Sequence, residues 1–468
     1  MIINTYHTIN FKKAPDCIEQ KSSDKAGKYN RIFTYSMLGL TAAAISGAVI
    51  ASKYMPNEYI RQLAEDLSKE LGKEIKPSQL KSVMTKDELI KICKTLKEEN
   101  FISNKKNVKN GIFIADLHSH SNHSDGAISV SELMNQAAEY GDKLNKLNGK
   151  KFIFALTDHD GVGGVKEALK IIAENPTKYK NVKFVPGAEL SFPIECQYGS
   201  EKYKRCKNNV EMSELLIYNI NPFSKNTEEY FSDLYKKRKN GITESLKLAT
   251  KIIPDCKYSE EEFNKYFLLN GDNYCMLNQH WQIYHYLNLK TRINEISKVS
   301  GKNPEKLFDN IMSEFRRESK NNVGQSLDEY IKKNNIKIKQ DSYDKRIIAL
   351  KNQICPHIKG PQIYAPHESS FNSIVSFANK ECAYLGFAHP GFTMQNMKTD
   401  FIKKEMKQFI EKADNKLIFA EKYHQAYPIP NEITKEEIES YNKILDELNL
   451  IHIGGRDNHS VNFTNFNY

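Results

Sequence analysis

Residues 111–126 read GIFIADLHSHSNHSDG. An apolar run gives way at once to His118 and His120, spaced by one residue, and then to Asp125 ahead of a glycine. The run has the length and composition of a buried strand. The turn after it is dense in side chains that bind metals. Alternate residues of an extended segment point the same way, so the His-x-His spacing lets both imidazoles reach one centre.

Working outward, the arrangement recurs. KFIFALTDHDG (151–161) ends in Asp158 and His159, VKFVPGAEL (182–190) ends in Glu189, and ELLIYNI (214–220) opens with Glu214. Between the first two runs lies a helix entered through Ser129 and Glu132 as a capping box, and between the next two lies VKEALKIIAEN (165–175). This β-α-β-α-β rhythm predicts parallel strands covered by helices. From 225 to 360 the pattern turns helical, as in EEYFSDLYKKRKNGITESLKLATKII and NPEKLFDNIMSEFRRE, which reads as a helical insertion. Strands return at CAYLGFAHP (382–390), KLIFAEKYH (416–424) and NLIHIGGRDNH (449–459), the last entered from a helix capped by Thr434 and Glu437. His389 follows the fifth strand, Glu421 sits in the sixth, and Asp457 and His459 follow the seventh.

The expected fold class is therefore α/β, a seven-stranded barrel split four and three around the insertion. In a parallel α/β barrel the strand C-termini converge on one face, so ligand-type residues at those ends meet in one pocket. A single histidine at a strand end is ordinarily a satisfied structural residue. The recurrence of His, Asp and Glu at nearly every strand end is what singles out a site.

The segments DLHSHSNHSDG, TDHDG, GAELS, AHPG and GGRDNHS together resemble the signature segments of the PHP superfamily, the polymerase and histidinol phosphatase domain. The resemblance covers residues 111–460 apart from the insertion, in matching order. It implies a distorted (β/α) barrel of PHP type holding two or three divalent metal ions (manganese, zinc or iron). The matching ligand positions are His118, His120, Asp125, His159, Glu189, His389, Asp457 and His459. Family members often carry a further histidine just inside the fourth strand, where this chain offers Glu214, a departure that leaves metal count and preference open. The insertion and the segment APHESSFNSIVSFANKECAYLGFAHPG look like the nucleotide and RNA phosphoesterase branch rather than the compact histidinol phosphatases.

The activity so implied is metal-assisted hydrolysis of a phosphate monoester or phosphodiester end, on a nucleotide, a short nucleic acid or another phosphorylated small molecule. Arg456 is the candidate catalytic phosphate contact, because a guanidinium engages phosphate oxygens bidentately; a surface salt bridge is the alternative. Two other readings stand beside this one: a histidinol-phosphate-type phosphatase, and a degenerate metal-stabilised binding module. The basic residues of KYKRCK (202–207) with Lys236, Lys237, Arg238 and Lys239 could steer a polyanion or simply be solvated. Trp281, Tyr284 and Tyr286 could stack bases or belong to a core, and His280 could approach substrate. His123 reads as a neighbour of the site rather than a ligand.

The rest of the chain sets bounds. It has 468 residues, 40% hydrophobic and 27% charged, enough for a large core and unlike a disordered chain. The net charge of +10 arises from 68 basic against 58 acidic residues and suits a phosphate-bearing partner only weakly. Eight cysteines show no C-x-x-C pair, which argues against zinc knuckles and a disulfide framework. Residues 1–30 read as a flexible polar tail. Residues 32–52, within a candidate transmembrane helix spanning 31–53, carry no charge and are long enough to cross a bilayer, with a buried Ala/Gly-rich helix as the alternative. The basic excess before this run favours a membrane-anchored protein with its barrel outside the cytoplasm, a cytoplasmic barrel being the other option. Residues 57–105 read as a helical spacer with a capping box at Thr85 and Glu88, ahead of barrel segments 111–224 and 361–468. No protein partner is deducible.

Overall fold

Seven strands lie in the order β1 (Ala115–Asp116), β2 (Phe152–Leu156), β3 (Val182–Glu195), β4 (Val210–Tyr218), β5 (Tyr384–Phe387), β6 (Leu417–His424) and β7 (Ile451–Gly455), each paired with the next. The computed structural model describes residues 57–101, 113–195, 210–254, 258–267, 286–287, 289–293, 297–298, 301–321, 327–336, 369–390, 399–414, 416–424, 435–457 and 459. The chain divides into Met1–Pro56 and Asn57–Tyr468, and all described residues fall in the second unit. The ends of the sheet approach each other: Leu117 N–H donates to Gly454 O at 3.2 Å and Asp457 N–H to His118 O at 3.0 Å. The result is an α/β fold with a nearly closed seven-stranded barrel.

The expectation of uniformly parallel strands needs one correction. β1, β2 and β3 are parallel, as are β5, β6 and β7, but β4 runs antiparallel to both neighbours. β3 runs on to Glu195, and Gly187–Glu195 pair with Tyr218–Val210 as one long antiparallel ladder. Glu189 therefore lies inside β3 rather than after it, and Glu214 lies within β4 as expected.

Side-chain alternation builds the core. Ile153 and Ala155 of β2, Val185 of β3, Leu216 and Tyr218 of β4, Phe419 of β6 and Ile453 of β7 share one cluster with Met84, Leu89, Cys93 and Phe101. The intervening Phe152, Phe154, Leu156, Val182 and Phe184 belong to a second cluster with the covering helices. That division is the period of two expected of strands covered on both faces. The covering helices are α1 (Glu58–Leu71), α2 (Lys86–Cys93), α3 (Val130–Asn148) and α4 (Gly163–Glu174). Thr85 closes a full capping box with Glu88, and Ser129 caps α3 through Glu132 N–H; Thr434 lies outside the described residues. Residues 57–101 are built into the wall: Ile60, Leu63 and Leu67 of α1 pack with α3 and α4, Val83 bridges Phe184, and Phe101 bridges Ala115.

Between β4 and β5 come α5 (Lys225–Ile252), α6 (Glu260–Phe267), α7 (Pro304–Asn321) and α8 (Leu327–Lys333), whose apolar faces form a separate cluster around Tyr286, Phe308 and Tyr330. The remaining helices are α9 (Phe371–Lys380), α10 (Thr399–Lys412) and α11 (Lys435–Glu447).

The membrane-anchored localisation is corrected. No helix among the described residues is long and apolar enough to cross a membrane, because even the longest, α5, carries charged side chains in nearly every turn. Residues 1–30 and 32–52, where the tail and the anchor were expected, lie outside the described residues.

Candidate metal centre

The first strand ends at Asp116, and the extended segment after it carries His118 and His120 to the same side, with ring centroids 5.0 Å apart and their Nε2 atoms 3.0 Å apart. Both are buried. His118 Nε2 lies 3.1 Å from Glu189 Oε2, and His120 Nε2 lies 3.0 Å from Asp457 Oδ1. His159, at the end of β2, is bridged to Glu189 and places Nδ1 3.1 Å from Glu189 Oε2. His389 Nε2 lies 3.0 Å from Glu189 Oε1 and 3.1 Å from Glu214 Oε2, while His459 Nε2 lies 3.2 Å from Asp125 Oδ2. The structure thus brings the nine residues His118, His120, Asp125, His159, Glu189, Glu214, His389, Asp457 and His459 together at one end of the barrel.

Three groups within this cluster have ligand atoms all within 4.8 Å of one another: His120, Asp125, His159 and His459; His118, His120, Glu189 and Asp457; and His159, Glu189 and Glu214. Each pair of groups shares one residue. Among the described residues, these are groups that could hold a metal ion.

The electrostatics fit a cation. His118 is held well above its ordinary pKa, since Glu189, Glu421 and Asp457 outweigh the burial that opposes it. Burial likewise opposes protonation of His459, yet Asp125 and Asp457 raise it to about 10. Burial would raise Glu189, but His118 and His159 hold its carboxyl well below the usual range. Burial, followed by the charge of Glu189, lifts Glu214, and burial with the rings of His159 and His459 pushes His120 down to about 4. His120 Nδ1, Asp125 Oδ1 and both ring nitrogens of His159 are buried without a hydrogen-bond partner. Such atoms are rare in native proteins unless an ion or water serves them, so the donor set fits divalent metals.

A surrounding layer fixes the ligand atoms. Glu421 Oε2 sits 3.1 Å from His118 Nδ1 and accepts His389 N–H at 2.8 Å. With Nδ1–H on Glu421, the Nε2 lone pair of His118 faces the cluster, the usual second partner of a ligating imidazole. His459 Nδ1 similarly lies 2.9 Å from Asp457 O. Asp158 turns away, accepting Ser121 N–H at 2.6 Å and the hydroxyls of Ser121 and Ser124 at 2.8 Å each, and so pins the loop that carries Asp125. Asp160 (φ 46°), His389 (φ 26°) and Asp457 (φ 48°) occupy the left-handed region, a conformation that persists for non-glycine residues only where surrounding contacts enforce it.

Arg456 is buried, with Nε donating to Asp116 Oδ2 at 2.8 Å and its backbone N–H to Oδ1 at 3.0 Å, so it is not the surface ion pair of the alternative reading. His123 Nε2 pairs with Glu167 at 2.9 Å, beside the cluster. Of the basic stretch on α5, Lys237 pairs with Asp233 and Lys239 with Glu260, whereas Arg238 is fully buried and cannot serve as a surface steering charge. Tyr286 lies in the insertion's core. Residues 202–207, His280, Trp281 and Tyr284 are outside the described residues. Sequence reasoning overlooked the anchoring roles of Glu421, Asp116, Asp158 and Asp160; the only local signal was their acidic type beside the ligand positions.

No family model and no curated protein matches the chain. Among solved structures it is similar to an amidohydrolase from Chromobacterium violaceum with bound sulfate and no metal, at 16% identity over 74% of this chain and 88% of that one, TM-score 0.41. It is also similar to a candidate metal-dependent phosphoesterase from Bifidobacterium adolescentis, at 14% identity over 75% and 89%, TM-score 0.40. At these scores neither likeness bears on the chemistry of this chain.

Proposed function

We propose that the chain is a metal-dependent phosphoesterase of PHP type, hydrolysing a phosphate monoester or phosphodiester end of a nucleotide, a short nucleic acid or another phosphorylated small molecule. The observation that carries the reading is the convergence of five imidazoles and four carboxylates on one buried centre, with ligand atoms about 3 Å apart and several lacking any other partner. The signature segments from DLHSHSNHSDG to GGRDNHS supply the family half of the reading. Bound there, two or three divalent ions, manganese, zinc or iron, would polarise phosphate oxygens and acidify water.

The chain's own contribution is to hold the donors in place. Glu421 and the Asp457 carbonyl fix the tautomers of His118 and His459, and Glu189 reaches His118, His159 and His389 at once. Glu214 completes the ring from β4 and keeps a carboxylate where members of the PHP superfamily often carry a histidine. Its contact with His389 supports an intact cluster over a decayed one. Arg456, tethered by Asp116, is kept in the proposal as the cation that meets the phosphate.

The test is phosphate release by the full chain with manganese, zinc or iron, across nucleoside monophosphates, short RNA and histidinol phosphate. Turnover on a nucleotide substrate that disappears with chelator and in His118→Ala/His120→Ala is the expected result. Unimpaired turnover in that variant would sink the reading, and a metal-loaded chain silent on every substrate would favour the binding module.

A further inference from the structure

We propose that Arg238, carried by the long helix of the insertion, is a positioning residue for the metal cluster, acting through Asp160 on His159 and Glu189. The inference rests on the metal-site reading and extends it to the insertion.

Arg238 is 1% exposed, whereas Lys237 and Lys239 beside it on α5 reach solvent. Its Nη2 lies 2.7 Å from Asp160 Oδ2, whose side chain is completely buried. The other carboxylate oxygen, Oδ1, accepts Ser191 N–H at 2.9 Å. Asp160 N–H donates to Glu189 O at 2.7 Å, and Glu189 N–H donates to Asp158 O at 3.1 Å, closing the bridge between His159 and Glu189. Asp160 thus follows His159 in the chain and is hydrogen-bonded to the Glu189 carbonyl and to Ser191 N–H two residues on, in a backbone conformation at φ 46° that its contacts must enforce. His159 and Glu189 each belong to two of the three ligand groups. Where the guanidinium holds Asp160 decides where both ligands stand.

Docking alone does not account for the pair. The same helix is already seated by Tyr230, stacked on Phe377 at 4.2 Å with its hydroxyl on Ser369, and by Phe231 against the same ring. A buried ion pair is a poor adhesive, because desolvating both charges offsets most of their attraction. What it supplies is fixed geometry: the planar guanidinium donates along set directions, which a lysine cannot reproduce.

The experiment is a cobalt titration of the full chain, following the visible absorption of bound Co2+ and its affinity, with thermal unfolding recorded alongside. Arg238→Met and Arg238→Lys are expected to weaken Co2+ binding about 10- to 100-fold, as loss of an outer partner does at other metal sites, and to alter the absorption bands. Leu246→Ala, which disturbs the packing of the same helix two turns further along, in the core of the insertion, should lower the unfolding temperature and leave the cobalt spectrum unchanged. If Arg238→Met does not fold, Arg238→Lys and the neutral pair Arg238→Met/Asp160→Asn carry the test. The pair is expected to weaken binding by no more than the single change would, since both act on one contact. Wild-type affinity and spectrum in Arg238→Lys and in the neutral pair would overturn the proposal, as would equal spectral change in Leu246→Ala. A wild-type chain that takes up no cobalt overturns the metal reading itself, and is recognised before any variant is measured.

Discussion

Glu421 illustrates what a single residue decides here. It is buried at the wall of the site, and one of its oxygens serves both the His118 ring and the His389 backbone. Glu421→Gln keeps the shape and an acceptor oxygen but removes the charge, so the imidazole of His118 loses some of its basicity. Metal affinity is expected to fall about 10- to 100-fold, with circular dichroism unchanged; metal content after dialysis measures it, and full retention would show that Glu421 does not orient the ligands. In sequence Glu421 looked like the other acidic residues of the strands. Only the pairing of β6 with β7 and the approach of β1 place it behind His118.

Elements set how closely the ligands can gather. β7 ends in Gly454 and Gly455, where the chain passes against the segment carrying His118. A Cβ on Gly455 would stand 2.4 Å from both the backbone nitrogen and the Cβ of His118. Backbone cannot yield as a flexible side chain can, so Gly455→Ala is expected to destabilise the fold by about 1–3 kcal/mol and to weaken metal binding at the same time. Thermal unfolding with and without manganese checks this; an unshifted transition would mean that the strands part at no cost. The ends of β1, β2 and β7 and their ligands were legible as apolar runs followed by His and Asp. The reversal of β4 was not, because strand direction depends on which segments pair, and residues 187–195 give no local sign that they will pair with 210–218.

At the scale of the whole molecule, the segment before the barrel belongs to it. Leu63 and Leu67 are fully buried against α3 and α4, Lys86 Nζ donates to Cys382 O, and Asn219 donates to Met84 O. Leu67→Ala is expected to lose about 2–5 kcal/mol of stability, read from chemical unfolding. A chain beginning at residue 111 should lose cooperative unfolding altogether; one that unfolded like the full chain would show that residues 57–101 only decorate the barrel.

The sequence by itself determined the strand runs, the helices that follow the first two, and the identities of the nine clustered residues. Those features are written in neighbouring positions: apolar strand, turn, ligand-type side chain. Tertiary structure alone decided that β4 runs backwards, that residues 57–101 complete the wall, and that Arg238 faces Asp160 rather than solvent. Each of these depends on contacts between positions far apart in the chain, where burial and charge pairing act only once the barrel has closed.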